Sequence, residues 1–214
     1  MNRALAILAA VASALYLFFS HALPYPSGVV LKTSMCVLLA ALAWRSKQAL
    51  LAVALLFSAS GDALLAIDGG KLFVPGLASF LITHLLYAAI FVRVSKQARM
   101  AMNPWRTIGM ILPIMFAVAY AAVLWPQLGA LAIPVLLYIA AIVVMAALSF
   151  RVQEIIVPIG ALLFLASDSL IAYGKFLEST AWLSPAIWIT YALAQQLIAH
   201  GLLSNSASVR PESD

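Results

Sequence analysis

Eight apolar stretches, each close to the length of a bilayer crossing, follow one another along this 214-residue chain with only short polar joints between them. A spanning helix needs about 20 apolar residues, within a working range of roughly 17–25. The stretches fall near 4–20, 27–44, 49–67, 72–92, 106–125, 129–148, 155–173 and 183–203. Pro24-Tyr25-Pro26, Arg45-Ser46-Lys47, Asp68-Gly69-Gly70, the run from Arg93 to Trp105, Trp125-Pro126-Gln127, Phe150 to Glu154 and Tyr173 to Trp182 separate them. The chain is 65% hydrophobic and 9% charged, with a mean hydropathy of +1.08. A soluble domain of this size cannot hide that much apolar surface, so the bilayer must act as its solvent. The expected fold is all-α: one eight-helix transmembrane domain over residues 1–203, then a polar, frayed tail over 204–214. The first stretch reads as a retained helix, because no small-residue cleavage site precedes His21-Ala22-Leu23-Pro24. Pro113, Pro134, Pro158 and Pro185 fall within the spans, where neighbouring helices can re-satisfy the backbone.

Basic residues set the orientation. With an even number of spans, Arg3, Arg45, Lys47, Arg93, Lys96, Arg99, Arg106, Arg151 and Arg210 share one side. The other side has only Lys71 and Lys175. This bias places both termini in the cytoplasm, and the short loops suggest a bacterial inner membrane. The same basic residues are too thinly spread over loops to suggest nucleic acid as a partner. Trp44, Trp105, Trp125 and Trp182 fall at span ends and suit interfacial belts. The single cysteine, Cys36, excludes an internal disulfide.

Two aspartates lie inside these apolar segments, in matching phrases. One reads Phe57-Ser58-Ala59-Ser60-Gly61-Asp62, the other Phe164-Leu165-Ala166-Ser167-Asp168. An acidic side chain at mid-membrane costs roughly 2.5–3.5 kcal/mol on insertion scales. Its appearance twice in one setting points to a shared use of the two carboxyls. Phe57 and Phe164 stand 107 residues apart, and at the same offset Ile82-Thr83-His84 faces Ile189-Thr190-Tyr191. The chain is therefore expected to comprise two four-helix halves, 1–100 and 101–203. Four is an even number, so the halves would run parallel, related by an axis along the membrane normal. Asp62 and Asp168 would then sit at matching depths near the non-cytoplasmic ends of the third and seventh helices.

Other polar residues are placed to join them. His84 falls near mid-membrane, with Tyr87 three residues on and so on the same helix face. Tyr191 and Gln195 share a face of the eighth helix. Such residues either hydrogen-bond between helices, at about 0.6 kcal/mol on average, or line a pocket. Lys32, early in the second helix, can snorkel to headgroups, pair with either aspartate, or hold a phosphate as a point charge. Asp68, Lys71, Lys175 and Glu178 read as loop charges without chemistry. A metal on Asp62, Asp168 and His84 is disfavoured, because His84 lies deeper than either acid and sites of this kind gather His and Cys. No phosphate loop, nucleophile elbow or Cys–His pair is present. Read from the residues alone, intramembrane acids, a repeat and a central cavity suit a proton-coupled transporter of a small solute or lipid.

Gly61-Asp62, then Ser79-Phe80-Leu81-Ile82-Thr83-His84-Leu85-Leu86-Tyr87, then Ser167-Asp168, then Tyr191-Ala192-Leu193-Ala194-Gln195 resembles the YhhN/TMEM86 lysoplasmalogenase family over nearly the whole chain. Lys32 stands where that family carries a lysine, although Thr33 replaces the proline that often follows. The resemblance implies hydrolysis of the vinyl ether bond of a lysoplasmalogen to a fatty aldehyde and glycerophosphoethanolamine or glycerophosphocholine. The substrate would be a lysophospholipid drawn from membrane lipid, with no cofactor. Vinyl ethers yield to acid, so one carboxyl would protonate the vinyl carbon. An ionised partner would stabilise the resulting oxocarbenium ion and help deprotonate water, as in glycosidases. Asp62 and Asp168 would be catalytic. Lys32 would hold the phosphate, and His84, Tyr87, Tyr191 and Gln195 would shape the pocket or place the water.

Overall fold

The computed structural model describes residues 3–67, 71–98 and 103–208, excepting the side chains of 98 and 205–208. Asp68, Arg99 and Arg210, read above as loop or terminal charges, lie outside the described residues. The described chain is all-helical: α1 (Arg3–Phe19), α2 (Ser27–Arg45), α3 (Ala49–Ala66), α4 (Phe73–Ala98), α5 (Pro104–Leu124), α6 (Ala132–Ser149), α7 (Ile156–Phe176) and α8 (Leu183–Ser208). Two short 3-10 turns, Trp125–Gln127 and Gly129–Leu131, bridge α5 and α6. Seven helices, all but α1, are long and apolar enough to cross a membrane. With 17 residues, α1 stands at the lower edge of the spanning range.

The helices run past several expected ends. α4 continues beyond residue 92, α7 beyond 173, and α8 through Ser204–Ser208. A helix leaving the apolar zone keeps its own backbone bonds and needs only a tolerant sequence to continue. Polarity therefore marks the membrane boundary better than the helix boundary. Three of the four prolines fall in first turns, at Pro134, Pro158 and Pro185. There a missing N–H breaks no intrahelical bond. Only Pro113 is truly interior. Trp44, Trp105, Trp125 and Trp182 are all exposed, as interfacial belts require.

One apolar core joins residues of all eight helices; α1 contributes Ala9, with Leu5, Ala6, Tyr16 and Leu17 packed against its edge. Neighbouring helices pack in sequence except that α4 packs on α6 and not on α5, and α8 closes back onto α1 and α2. Close approach is obtained at glycines. A Cβ on Gly61 would lie 2.6 Å from the Phe80 ring, so only glycine lets α4 press against α3 beside Asp62. At the opposite end, buried Arg106 collects carbonyls of the turn between α6 and α7. Its Nη1 donates to Phe150 O at 2.7 Å and Val152 O at 2.6 Å, and its Nη2 to Gln153 O at 3.1 Å. These carbonyls lie outside the helices, and a guanidinium fork satisfies three at once. Arg106, expected to be a cytoplasmic loop charge, is thus a structural clamp.

Candidate active site

Two polar clusters face each other across a central aromatic ring. The first belongs to Asp62, on the last turn of α3. Its Oδ1 lies 3.6 Å from Lys32 Nζ of α2. Its Oδ2 accepts a hydrogen bond from Tyr191 Oη of α8 at 2.7 Å. The Cys36 thiol sits 3.2 Å from Tyr191 Oη and 3.9 Å from Asp62 Oδ2. Asp62 is thus held on both oxygens, with a cation beside it.

The second cluster belongs to Asp168 of α7. Its Oδ2 accepts from Tyr138 Oη of α6 and lies 3.1 Å from His84 Nε2 of α4. Tyr138 Oη is itself 3.0 Å from the same histidine nitrogen. His84 is fully buried, and its Nδ1 has no hydrogen-bond partner. Asp168 Oδ1 receives no hydrogen bond from a described residue.

Phe164, fully buried, separates the clusters. Its ring centroid lies 4.7 Å from that of His84 and 5.5 Å from that of Tyr191. Behind it is a third polar group. Tyr87 Oη donates to Gln195 Oε1 at 2.6 Å, Gln195 Nε2 to Ser58 Oγ at 2.8 Å, and Ser58 Oγ to Thr83 Oγ1 at 3.2 Å. These groups tie α3, α4 and α8 together with every partner satisfied.

Asp62 and Asp168 line one cavity of about 410 Å³, together with Lys32, Tyr191, Ser167 and Trp188. Its wall near the α7–α8 connection adds Lys175, Ser179, Thr180 and Ser184. A second, narrow space of about 50 Å³ lies between α4, α5, α6 and α7. Leu77, Phe116, Ala117, Leu124, Val135 and Ile142 make it almost wholly apolar. Asp168, Phe80, Phe73, Leu65 and Ile171 line both spaces, so the two adjoin at the second carboxyl.

The structure therefore brings Lys32, Asp62, Asp168 and Tyr191 onto one cavity. His84 stands directly behind Asp168, while Tyr87 and Gln195 bond to each other behind the wall. Two expectations need correction. His84, expected to lie deeper than either acid, meets Asp168 at 3.1 Å. Lys175, read as a plain loop charge, lies in the last turn of α7 and faces the cavity.

Tyr138 and Cys36 escaped the sequence reading. Each is a lone polar residue in an apolar run, and only the fold shows that an acid lies opposite. Among the described residues, no three His, Cys, Asp or Glu side chains gather to hold a metal ion.

Comparison with known proteins adds a family. The model of the YhhN family matches residues 27–202. A protein of Mycobacterium bovis named "Lysoplasmalogenase" is 37% identical over 190 residues, covering 85% of this chain and 71% of its own length. "Lysoplasmalogenase TMEM86A" of Bos taurus is 36% identical over 175 residues, covering 76% of this chain and 67% of its own. The Homo sapiens protein of that name is 35% identical over 160 residues, covering 69% and 62% respectively. No solved structure matches the chain.

Proposed function

This chain belongs to the YhhN family, and on that premise we propose that it is a lysoplasmalogenase, a hydrolase of the vinyl ether bond of lysoplasmalogens. The observation that carries the reading is the shared cavity: two carboxyls with unlike partners line one polar space that adjoins an apolar one. An alkenyl lysophospholipid has the same two-part character. Its chain follows the crevice between α4, α5, α6 and α7, which side-chain movement must widen. Its glycerol and phosphate occupy the larger cavity, and the vinyl ether lies where the two spaces meet, at Asp168. The names carried by relatives in Mycobacterium bovis and Bos taurus support the same activity.

The unlike partners divide the chemistry. Asp62 has Lys32 on one oxygen and a donating tyrosine on the other, an arrangement that suits a standing carboxylate. Asp168 has a phenol and an imidazole on Oδ2 and an unengaged Oδ1, which leaves that oxygen to carry a proton and deliver it. Asp168 delivers its proton to the vinyl carbon remote from the ether oxygen, and the adjacent carbon becomes an oxocarbenium ion. Asp62 stabilises that cation electrostatically. Water adds to the cation as a carboxylate takes its proton, giving a hemiacetal. The hemiacetal C–O bond then breaks as that carboxyl passes the water's proton to the departing glycerol oxygen and the hemiacetal hydroxyl gives its own proton to the Asp168 carboxylate, releasing fatty aldehyde and a glycerophospho-alcohol and restoring the acid. Tyr138 and His84 fix Asp168, and Tyr191 fixes Asp62. Lys32 keeps Asp62 charged, while Tyr87 and Gln195 hold the wall from behind.

The proposed architecture is eight spans with both termini cytoplasmic, in a bacterial inner membrane. The Lys and Arg bias supports it, and the length of α1 permits it. In this orientation the cavity's Lys175–Ser184 side faces away from the cytoplasm. Two parallel halves are part of the same proposal. In support, the clusters cross between halves: α4 serves the acid of α7, and α8 serves the acid of α3.

The test uses purified protein in detergent with an alkenyl lysophospholipid and its saturated alkyl analogue. Aldehyde from the first and none from the second is expected. A transporter needs two compartments and would release no aldehyde from either, and that result would overturn the reading.

A further inference from the structure

The charge arrangement of the cavity leaves the substrate's phosphate without a free cation at its floor. Lys32 lies 3.6 Å from Asp62 Oδ1 and already neutralises that carboxylate. A phosphate brought to Lys32 meets Asp62 as well, and the two anions compete for one ammonium. The rest of the wall offers another cation. Lys175, in the last turn of α7, lines the cavity. Its Nζ rests 5.0 Å from the centre of the Phe73 ring, and it forms no ion pair among the described residues. Three hydroxyl residues, Ser179, Thr180 and Ser184, line the same region. Thr180 Oγ1 is buried with no hydrogen-bond partner. Ser184 is the second residue of α8; beside it Leu183 N–H already donates to Thr180 O and Ala186 N–H to Trp182 O, and Pro185 has no N–H, so the Ser184 hydroxyl and not the helix backbone is what this end offers.

We infer that Lys175, with the hydroxyls of Thr180 and Ser184, binds the phosphodiester of the lysophospholipid headgroup at the cavity mouth. The inference rests on the hydrolase reading for the identity of the ligand, and it adds the residue that anchors it. A cation over an aromatic face keeps its charge available while losing little freedom. A hydroxyl without a partner gains one when a phosphate oxygen arrives, which relieves the cost of its burial. Bound there, the phosphate is kept away from Asp62, and the carboxylate remains free to face the cation that forms at the vinyl ether.

The experiment compares two substrates on wild type, Lys175→Gln and Lys175→Arg: an alkenyl lysophosphocholine and the corresponding 1-alkenylglycerol, which lacks the phosphate. In Lys175→Gln, the ratio of kcat/KM for the first over the second should fall about tenfold through KM, the size expected for one charge-assisted contact. Lys175→Arg should restore most of it. An unchanged ratio, or equal losses on both substrates, would overturn the assignment. Binding of the non-hydrolysable saturated alkyl lysophosphocholine, read by tryptophan fluorescence, separates this inference from the hydrolase reading. If wild type releases no aldehyde but binds that lipid more weakly after Lys175→Gln, the anchor stands and the reaction fails. Equal binding by wild type and Lys175→Gln sinks the anchor whatever the reaction.

Discussion

Asp62 and Asp168 occupy similar phrases of sequence, yet their surroundings differ in kind. Asp62 has a cation, a phenol and a thiol, and both its oxygens are engaged. Asp168 has a phenol and a histidine on one oxygen, and the other receives no hydrogen bond. The difference shows that near-identical phrases of a chain can meet unlike partners. Partners contributed by other helices set those surroundings, and in the proposed mechanism they separate the stabilising carboxylate from the proton donor. This is the logic of acid pairs elsewhere, where environment and not residue type separates donor from stabiliser.

The largest effects should fall on the carboxyls themselves. Asp168→Asn is expected to lower kcat by about 10²–10⁴-fold, the usual contribution of a positioned acid. Asp62→Asn should lose about 10²–10³-fold through the missing electrostatic stabilisation. Circular dichroism checks that both variants remain folded. Near-wild-type aldehyde release by either would break the division of labour.

Lys32→Met sharpens the contrast from the other side. It leaves Asp62 buried without its cation and should destabilise the protein by about 3 kcal/mol, the lower end for a broken buried pair. The double variant Lys32→Met with Asp62→Asn should recover much of the melting temperature but none of the activity. A double variant no more stable than Lys32→Met would show that the pair does not couple.

Tyr138→Phe removes one of the donors holding Asp168. Its expected cost is about tenfold in kcat, corresponding to one hydrogen bond to a charged or reacting group, with KM little changed. An effect confined to KM would place Tyr138 in substrate binding instead. The smallest change concerns the crevice. Ala117→Phe fills part of its wall between α5 and α6 and should shift preference toward shorter alkenyl chains. Crevices of this kind discriminate by only about 1–3 kcal/mol per methylene, so the readout is a chain-length profile of kcat/KM. An unaltered profile would mean that the chain runs elsewhere.

Much of this was legible in the sequence because lipid imposes strict rules. Apolar runs of spanning length announced the helices, and the rarity of acids in such runs singled out Asp62 and Asp168. Lys32, His84, Tyr87, Tyr191 and Gln195 stood out for the same reason. What the sequence could not convey is which residues meet across helices. Spacing placed His84 and Tyr87 on one helix face, yet they serve different partners, Asp168 and Gln195. Tyr138 looked like any tyrosine in an apolar span. Arg106 and Lys175 looked like ordinary loop charges, because the helices continue past the point where polarity begins. The end of α7 was missed for that reason too: Tyr173 to Trp182 read as a joint, while the helix itself runs to Phe176.

The central claim is that a carboxylic acid fixed on one side of the vinyl ether delivers the proton to carbon. Hydrolysis run in heavy water, with immediate reduction of the aldehyde to an alcohol, tests it directly. The account predicts a single deuterium on the carbon next to the former carbonyl, in one configuration, because Asp168 approaches from one face. Deuterium spread equally over both configurations, or absent from that carbon, would contradict it.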